Sequence, residues 1–234
     1  MLQVEHVTKR YGQTLANDDV SVHVQEGEVA VLLGPNGAGK STLIKCVTGL
    51  LRFSGDIRLC GHGNKTREAK RLLGYIPEMP AVYDLLTVDE HLEFIRRAWK
   101  LDDGARAWGE TLLERLQLAD KRNKLGKELS KGMQQKLSIC CALLHKPRVA
   151  VFDEPMVGLD PHAIKELKEL FGEMRADGAS VLISTHMLDS VEGIWDAAYI
   201  MMNGRIAARQ RGGARDEQAL ETLFFQITEG RTDA

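Results

Sequence analysis

The chain has 234 residues and a mass of 26.0 kDa, which is more than one average domain and less than two. Hydrophobic residues make up 44% and charged residues 27%, an ordinary globular composition that excludes a disordered, collagen-like or disulfide-scaffold chain. The 31 basic and 33 acidic residues give a formal charge of −2, which argues against non-specific binding to DNA or RNA.

The sequence predicts neither a secretory signal nor a membrane span. Residues 1–5 have no basic region and no apolar region of the kind that signal peptides carry. The longest apolar runs, residues 29–33 and 149–152, are far shorter than the roughly 18 to 20 residues of a spanning helix. The cysteines lack the spacing of a zinc or redox motif and are predicted to be reduced thiols: Cys46, Cys60, Cys140 and Cys141.

Three continuous apolar runs predict strands that are covered on both faces, at residues 29–33, 149–152 and 181–183. Near the N-terminus, Val20, Val22 and Val24 alternate with polar residues, as in a half-buried strand, and Ile57 and Leu59 alternate similarly. Helical patterns separate the apolar runs. This alternation predicts an α/β fold with right-handed crossovers and a site at the carboxyl ends of the strands.

Between residues 82 and 145 the strand pattern disappears, and apolar residues recur at helical spacing, which predicts an all-helical insertion. Within this segment Ser130 is placed as the N-cap of a helix. The apolar face of that helix is formed by Met133, Leu137, Cys140, Cys141 and Leu144. From residue 212 the chain is polar, and we predict one short helix over residues 217–225.

A phosphate-binding loop is predicted between the strand at residues 29–33 and a following helix. The segment Gly34-Pro35-Asn36-Gly37-Ala38-Gly39-Lys40-Ser41 fits the pattern G-x-x-x-x-G-K-[ST]. The glycines let consecutive backbone N–H groups converge on phosphate oxygens, and the helix points its positive end at the same anion. Lys40 would reach the β- and γ-phosphates, Ser41 would ligate Mg²⁺, and Thr42 would touch the α-phosphate.

Polar residues end two of the other buried strands. Asp153 and Glu154 follow the run at residues 149–152, and the alternation of side chains along a strand would point them in opposite directions. Asp153 is placed for Mg²⁺ through its water shell, and Glu154 for the water that attacks the γ-phosphate. His186 follows the run at residues 181–183 and could donate to a γ-phosphate oxygen.

With these motifs in order, the sequence resembles the ATP-binding-cassette (ABC) ATPases over nearly its whole length. Leu129-Ser130-Lys131-Gly132-Met133 is similar to the signature motif of that family, usually written LSGGQ. In the family this motif meets the γ-phosphate held by the opposite subunit. The resemblance therefore implies that Ser130 and Gly132 bind nucleotide in trans, in a head-to-tail dimer that encloses two Mg-ATP.

The resemblance assigns three further residues. Tyr11 corresponds to the aromatic residue that stacks on adenine in the family. Asp160, in Gly158-Leu159-Asp160, corresponds to the D-loop at the dimer interface, where it would contact nucleotide in trans. Tyr75-Ile76-Pro77-Glu78 lies where the family has its Q-loop, whose glutamine contacts Mg²⁺ and senses the membrane partner. Here that residue is Glu78, and a carboxylate can also ligate Mg²⁺.

The resemblance also implies a fold and its domains. The fold is α/β, with a P-loop NTPase core whose mixed sheet has central parallel strands and antiparallel N-terminal strands. Residues 1–81 and 146–211 would form a RecA-like nucleotide-binding core with an antiparallel β subdomain. Residues 82–145 would form the helical subdomain that carries the signature motif, and residues 212–234 a short helical tail.

The function we expect is hydrolysis of ATP to ADP and phosphate, with Mg²⁺, to drive a transmembrane transporter subunit encoded separately. Glu78 and the LSKGM form of the signature are similar to a subgroup of bacterial cassettes that power exporters. The protein would be cytoplasmic and held peripherally at the inner face of the membrane by that partner. It would act as a homodimer or as a heterodimer with another cassette, without nucleic acid.

Two alternatives remain open from the residues. A soluble ABC-type ATPase could act on ribosomes or DNA, although such proteins generally carry two cassettes, a coiled-coil insertion or basic arms. The second alternative concerns Met79, Val82 and Tyr83, which follow Glu78. Their side chains either form a docking surface for the membrane partner or pack in the core.

Overall fold

The N-terminal strands form an antiparallel sheet of their own. The computed structural model describes residues 1–212 and 216–230. The four strands lie in the order β2-β1-β4-β5 and comprise β1 (Leu2–Tyr11), β2 (Thr14–Val24), β4 (Ser54–Leu59) and β5 (His62–Gly63). Val20, Val22 and Val24 are buried as predicted from their alternation. Strand β1 is hydrogen-bonded on both edges, by β2 and by β4, and the four strands form a sheet separate from the central one.

The central sheet has six strands in the order β10-β9-β3-β8-β7-β6. These are β3 (Val29–Leu33), β6 (Leu73–Ile76), β7 (Val149–Asp153), β8 (Ser180–Thr185), β9 (Ala197–Met202) and β10 (Arg205–Arg211). The strands from β9 to β6 pair in parallel, and β10 pairs antiparallel with β9. The predicted parallel strands are confirmed as β3, β7 and β8, in which every residue is buried.

Most of the helices begin after a residue whose side chain caps them. They are α1 (Lys40–Val47), α2 (Arg67–Leu72), α3 (Val88–Trp99), α4 (Asp103–Arg115), α5 (Lys131–Leu143), α6 (Pro161–Ala176) and α7 (Glu217–Glu229). Thr87 forms a reciprocal capping box with Glu90 at the start of α3, and Asp102 caps α4. Ser130 is the N-cap of α5, as predicted, since its Oγ accepts a hydrogen bond from Met133 N.

The segment from residue 82 to 145 contains α3, α4, α5 and two single 3₁₀ turns, and its strand-like pairing is limited to an isolated bridge between Thr87 and Leu125. The helical character of this segment is thereby confirmed, and the boundaries at residues 82 and 145 stay a prediction. None of the helices within the described residues is both long enough and apolar enough to cross a bilayer.

The central sheet separates two hydrophobic cores. Val29, Val31 and Leu33 of β3 face a core shared with α4, α5 and α6, whereas Ala30 and Leu32 face a core shared with α1 and the antiparallel sheet. This division follows from the alternation of side chains along a strand. The phosphate-loop segment leaves β3 at the carboxyl end of this doubly covered sheet, where α1 begins.

The C-terminal helix α7 continues to residue 229, four residues beyond the predicted end. Leu220 and Phe224 pack in the core that also contains α6, which anchors the helix. Glu217 accepts a hydrogen bond from the backbone N–H of Gly193. Residues 213–215 and 231–234 of the predicted tail lie outside the described part of the chain.

Candidate functional site

The loop between β3 and α1 is held against the antiparallel sheet. Gly39 has φ +107°, and a Cβ there would lie 2.5 Å from the backbone oxygen of Ala16, so this position requires glycine. The buried Asn17 donates from Nδ2 to the backbone oxygen of Gly39 at 3.1 Å. Asn17 was not predicted as a site residue, because a single polar residue in a strand does not indicate which distant segment its side chain contacts.

The loop and helix leave backbone donors for an anion. Helix α1 begins at Gly39 without a side-chain cap and without an acidic residue in its first turn. Lys40 is 5% exposed, and its Nζ donates to the backbone oxygens of Gly34 at 2.7 Å and Pro35 at 3.2 Å. Nζ also lies 3.5 Å from Oε1 of Glu154. The loop therefore folds around the Lys40 side chain. The N-terminal end of α1, which carries a partial positive charge, is left without a side-chain cap.

Asp153, at the end of β7, is held by two hydroxyl groups. Ser184 donates from Oγ to Asp153 Oδ1 at 2.6 Å, and Ser41 donates to the same oxygen at 3.1 Å. Burial raises the pKa of Asp153, and the nearby negative charges of Glu78 and Glu154 act in the same direction. The two hydroxyl groups oppose this shift by stabilising the carboxylate. Asp153 is therefore a buried carboxylate held by two hydroxyl donors, with two further acidic side chains near it.

Glu154 does not continue the strand, which corrects the expectation that alternation would orient it. Strand β7 ends at Asp153, and Glu154 has φ +49°, the left-handed region that is costly for a residue with a Cβ. Two hydrogen bonds hold this conformation: the backbone N–H of Glu154 donates to the backbone oxygen of Ser184 at 3.1 Å and to its Oγ at 3.2 Å. The turn places the buried carboxylate of Glu154 beside Lys40.

His186 contacts the same carboxylate. Its Nδ1 lies 3.0 Å from Glu154 Oε1, and its backbone N–H donates to Oε2 at 3.4 Å. The imidazole is partly exposed, whereas the carboxylate is buried. The structure thus brings together the two residues that were predicted from different strands.

Lys40, Glu154 and His186 line one cleft of about 670 Å³, whereas the buried Asp153 lies behind Ser41 and does not line it. Ten predicted site residues line it: Asn36, Gly37, Ala38, Gly39, Lys40, Ser41, Thr42, Glu78, Glu154 and His186. Sequence reasoning missed the other lining residues, which are Thr14, Leu15, Ala16, Val157, Asn203 and Gly204. Asn203-Gly204 is the turn between β9 and β10, and the Asn-Gly pair itself was a readable hairpin signal.

The remaining predicted nucleotide contacts do not line this cleft. Tyr11, at the end of β1, is 46% exposed, with Lys9 Nζ 4.9 Å from its ring centroid. Ser130 is exposed at the start of α5. Asp160 caps α6 by accepting from Ala163 N at 2.9 Å, and its Oδ2 lies 2.6 Å from Lys136 Nζ. Ser130 is therefore not among the residues that line the cleft of its own chain.

The signature segment instead packs against the D-loop segment of the same chain. A Cβ at Gly132 would lie 2.5 Å from the backbone oxygen of Gly158, so only glycine permits this approach. The ion pair between Lys136 and Asp160 joins the same two segments. Residues 130–132 and 158–160 therefore form one continuous surface.

Apolar side chains are exposed beyond Glu78. Met79 is 75% exposed and Tyr83 is 56% exposed, whereas Val82 packs against the core. The Tyr83 ring contacts Phe94 edge to face, and its backbone N–H donates to His91 Nε2 at 2.8 Å. With Leu85 and Phe94, which are also exposed, Met79 and Tyr83 form a surface that we call the apolar strip.

Comparison with known proteins agrees with this geometry. The sequence profile of the family described as ABC transporter matches residues 17–157. The ABC-type transporter ATP-binding protein EcsA of Bacillus subtilis is 36% identical, over 97% of this chain and 96% of that protein. The lantibiotic transport ATP-binding protein SrtF of Streptococcus pyogenes is 31% identical, over 96% of each. A solved ATP-binding subunit of an ABC transporter matches with a TM-score of 0.90 and 35% identity, over 97% of this chain and 99% of that one.

Proposed function

Because this chain belongs to the ABC transporter family as an ATP-binding, ATP-hydrolysing subunit, we propose that two such cassettes close head to tail around ATP and drive a separately encoded membrane subunit. The observation that carries the proposal is the division of the predicted site. Lys40, Glu154 and His186 share one cleft, whereas Ser130 and Gly132 lie outside it. One chain therefore offers two incomplete halves of a nucleotide site.

The triphosphate would be held by the loop and by the start of α1. We propose that Lys40 Nζ leaves the backbone oxygens of Gly34 and Pro35 and bonds the β- and γ-phosphates. The backbone N–H groups of residues 36–42 would receive the remaining phosphate oxygens, and the positive end of α1 adds to the attraction. Thr42 lies at the α-phosphate end of this arrangement, and Tyr11 would stack on adenine from the rim.

The donor set fits Mg²⁺ delivered with the nucleotide. Within residues 1–212 and 216–230 no three His, Cys, Asp or Glu side chains are grouped as a metal cage. Mg²⁺ characteristically keeps several waters and binds one or two carboxylates together with substrate phosphates. We assign Ser41, Asp153 and Glu78 as its protein contacts, since Ser41 donates to Asp153 and the charge of Glu78 acts on the same carboxylate. When bound, the ion would neutralise charge on the phosphates.

Glu154 is proposed as the general base that accepts the proton of the attacking water. Its buried carboxylate lies in the cleft, and its strained backbone is fixed by Ser184. His186 would orient this carboxylate through Nδ1 and its backbone N–H while presenting Nε2 to the γ-phosphate. Lys40, 3.5 Å from Glu154 in the structure, would move to the phosphates and free the carboxylate for the water.

The second half of each site would come from the partner cassette. Ser130 and the N–H groups at the start of α5 form an anion-binding helix end, and we propose that it closes on the γ-phosphate of the other chain. Asp160 stays bonded to Lys136 and caps α6 in this scheme, so it shapes the interface by fixing its own loop.

The apolar strip is proposed as the docking surface of the membrane subunit, which places the cassette at the cytoplasmic face of a membrane. A rigid cluster of exposed apolar side chains beside Glu78 would couple the partner to the metal site. We propose export as the direction, on the basis of Glu78 and the LSKGM signature. The relative from S. pyogenes is named for lantibiotic transport, which agrees with a transport role.

Affinity capture from detergent-solubilised native membranes tests this proposal. Wild-type bait should recover a polytopic membrane protein, and bait with Met79→Ser and Tyr83→Ser should recover much less of it. Phe225→Ser is the matched control, since Phe225 is also exposed but lies on α7. Recovery of ribosomal or DNA-bound complexes in place of a membrane protein would overturn the proposal.

A further inference from the structure

Basic residues are concentrated in one part of this nearly neutral chain. Residues 45–71 contain seven Lys and Arg and two Asp and Glu, a formal charge of +5, whereas the whole chain carries −2. The rest of the molecule is therefore acidic. The net charge of the chain does not reveal this uneven distribution. The local charge determines the electrostatic potential at the surface that a binding partner contacts.

The fold brings the first of these cations together. Asn64, which is buried, donates from Nδ2 to the backbone oxygens of Cys46 at 2.7 Å and Val47 at 3.0 Å. This ties the loop after β5 to the last turn of α1, where Lys45 is exposed. Lys65, the next residue after Asn64, places Nζ 5.1 Å from the ring centroid of Phe53, which adjoins Arg52.

Helix α2 extends the same surface. Arg67, Lys70 and Arg71 are spaced i, i+3 and i+4 and are exposed, whereas Ala69 is buried against the antiparallel sheet. We define the basic face by these six residues: Lys45, Arg52, Lys65, Arg67, Lys70 and Arg71. Arg58 is not included, because it pairs with Asp56.

The cations of the basic face outnumber the acidic residues among them, since helix α2 carries one acidic residue, Glu68. In the part of the molecule that the structure describes, none of its six side chains forms a salt bridge, whereas elsewhere Arg115 contacts Glu166, Glu169 and Glu173. Six unpaired cations on one surface repel one another, which is an unfavourable arrangement unless an external anion lies against them.

The basic face adjoins the proposed docking surface. Helix α2 passes directly into β6, the edge strand of the central sheet, and β6 is followed by Glu78 and the exposed Met79. Four residues of strand span only about 13 Å. Leu50, which is 65% exposed, lies between Lys45 and Arg52 in the chain.

We propose that the basic face binds the headgroups of anionic phospholipids on the membrane beside the transporter subunit. This inference rests on the proposed function, which brings the cassette to a membrane. An anionic bilayer complements the charge of the basic face, and helix α2 of this face leads through β6 to the proposed docking surface of the membrane subunit. Leu50 is an apolar side chain of the kind that enters the interfacial layer between basic neighbours.

Vesicle co-sedimentation of the full chain tests the inference. At low salt, wild type should bind vesicles of phosphatidylcholine with phosphatidylglycerol and leave vesicles of phosphatidylcholine alone unbound, and high salt should release it. Each basic side chain at an anionic surface contributes about fivefold to partitioning. Replacing Lys65, Arg67, Lys70 and Arg71 with Gln should therefore reduce binding by tenfold or more.

The matched control replaces Arg106, Lys124, Lys127 and Lys165 with Gln, the same change in net charge on other surfaces. Equal loss in this control, or equal binding to vesicles of phosphatidylcholine alone, would overturn the inference. Tighter binding of wild type to double-stranded DNA than to the anionic vesicles, lost in the basic-face variant, would also overturn it and assign the face to nucleic acid.

The two proposals fail separately. Retained ATPase activity in the basic-face variant shows that it is folded. If the protein does not bind vesicles but wild-type bait still captures a membrane subunit from detergent, the lipid inference is wrong and the proposed function stands. If the protein binds vesicles but captures no membrane subunit, the proposal of a separate membrane subunit is wrong and the lipid inference stands.

Discussion

His186 and Glu154 form a paired unit in which both carboxylate oxygens are engaged by one residue, Oε1 by the imidazole and Oε2 by the backbone N–H. The pair joins the ends of β7 and β8, two adjacent parallel strands. If Glu154 is the general base, as we propose, a small change in the chemistry of its side chain should have a large effect on turnover.

Glu154→Gln should abolish turnover while leaving ATP binding intact. The amide keeps the size and one acceptor but cannot take a proton, so steady phosphate release should fall by at least about a hundredfold. ATP should then hold the variant as a dimer on gel filtration. The control is Glu114→Gln, an exposed residue on α4. Phosphate release at the wild-type rate would remove Glu154 as the base.

Lys40→Ala should weaken nucleotide binding itself. Charge-assisted hydrogen bonds contribute about 1.5 to 3 kcal/mol, which corresponds to a loss of about ten- to a hundredfold in ATP affinity by titration calorimetry. Lys45→Ala, exposed in the last turn of the same helix, should bind ATP normally. An unchanged dissociation constant for Lys40→Ala would contradict the assignment of the phosphate-binding loop.

Asp153→Asn should stabilise the nucleotide-free protein. Burial raises the pKa of Asp153 above its value in the unfolded chain, so the ionised carboxylate costs stability once the pH has risen through both pKa values. At neutral pH the midpoint of thermal unfolding should rise, and the gain should shrink as the pH falls through the raised pKa of folded Asp153 toward its pKa in the unfolded chain.

The same substitution should reduce the stabilisation that Mg-ATP provides, because it removes a proposed metal contact. Asp177→Asn, at an exposed position after α6, is the control for both measurements. A lower midpoint for nucleotide-free Asp153→Asn at neutral pH would show that ionised Asp153 contributes favourably to folding.

Tyr11→Ala should reduce affinity for ATP about tenfold, in the range measured for stacking of a base on an aromatic side chain. Tyr11→Phe keeps the ring and should bind as wild type does. Tyr83→Ala removes an exposed tyrosine from the apolar strip and should leave affinity unchanged. If Phe and Ala at position 11 behave alike, adenine stacking is not the role of this residue.

Two defective subunits should form one complete site. Ser130→Asp keeps a good N-cap for α5 while its carboxylate repels a γ-phosphate, and Lys40→Ala disables the phosphate loop. With Glu154→Gln in both chains and different tags, ATP should yield mixed dimers, whereas neither variant should dimerise alone. Absence of the mixed dimer would exclude a signature that acts in trans.

The parts of the fold that could be predicted are those in which a local pattern determines burial. Residues 29–33 are apolar without interruption because they form a strand covered on both faces, and Ser130 has the sequence context of an N-cap. Strand β10 (Arg205–Arg211) could not be predicted in this way. It is an edge strand in which no residue is buried, so its sequence lacks a continuous apolar run.

The site was predictable where a motif fixes both residue type and neighbours, as in the phosphate loop. It was not predictable where distant segments meet. Asn17 of the antiparallel sheet donates to Gly39 of the phosphate loop. The left-handed conformation of Glu154 depends on hydrogen bonds to Ser184, which lies on another strand. The basic face could not be predicted from the net charge of the chain, because acidic residues elsewhere offset its positive charge.

The close approach of Ala16 to two glycines has a consequence for how this molecule opens. A Cβ at Gly204 would lie 2.9 Å from the same Ala16 oxygen that constrains Gly39, and Gly204 N–H donates to Ala38 at 2.9 Å. The backbone of Asp18 donates to Gly204 at 2.8 Å. We therefore expect the antiparallel sheet, the phosphate loop and the β9–β10 turn to unfold locally as one unit, so that their amides exchange with solvent together.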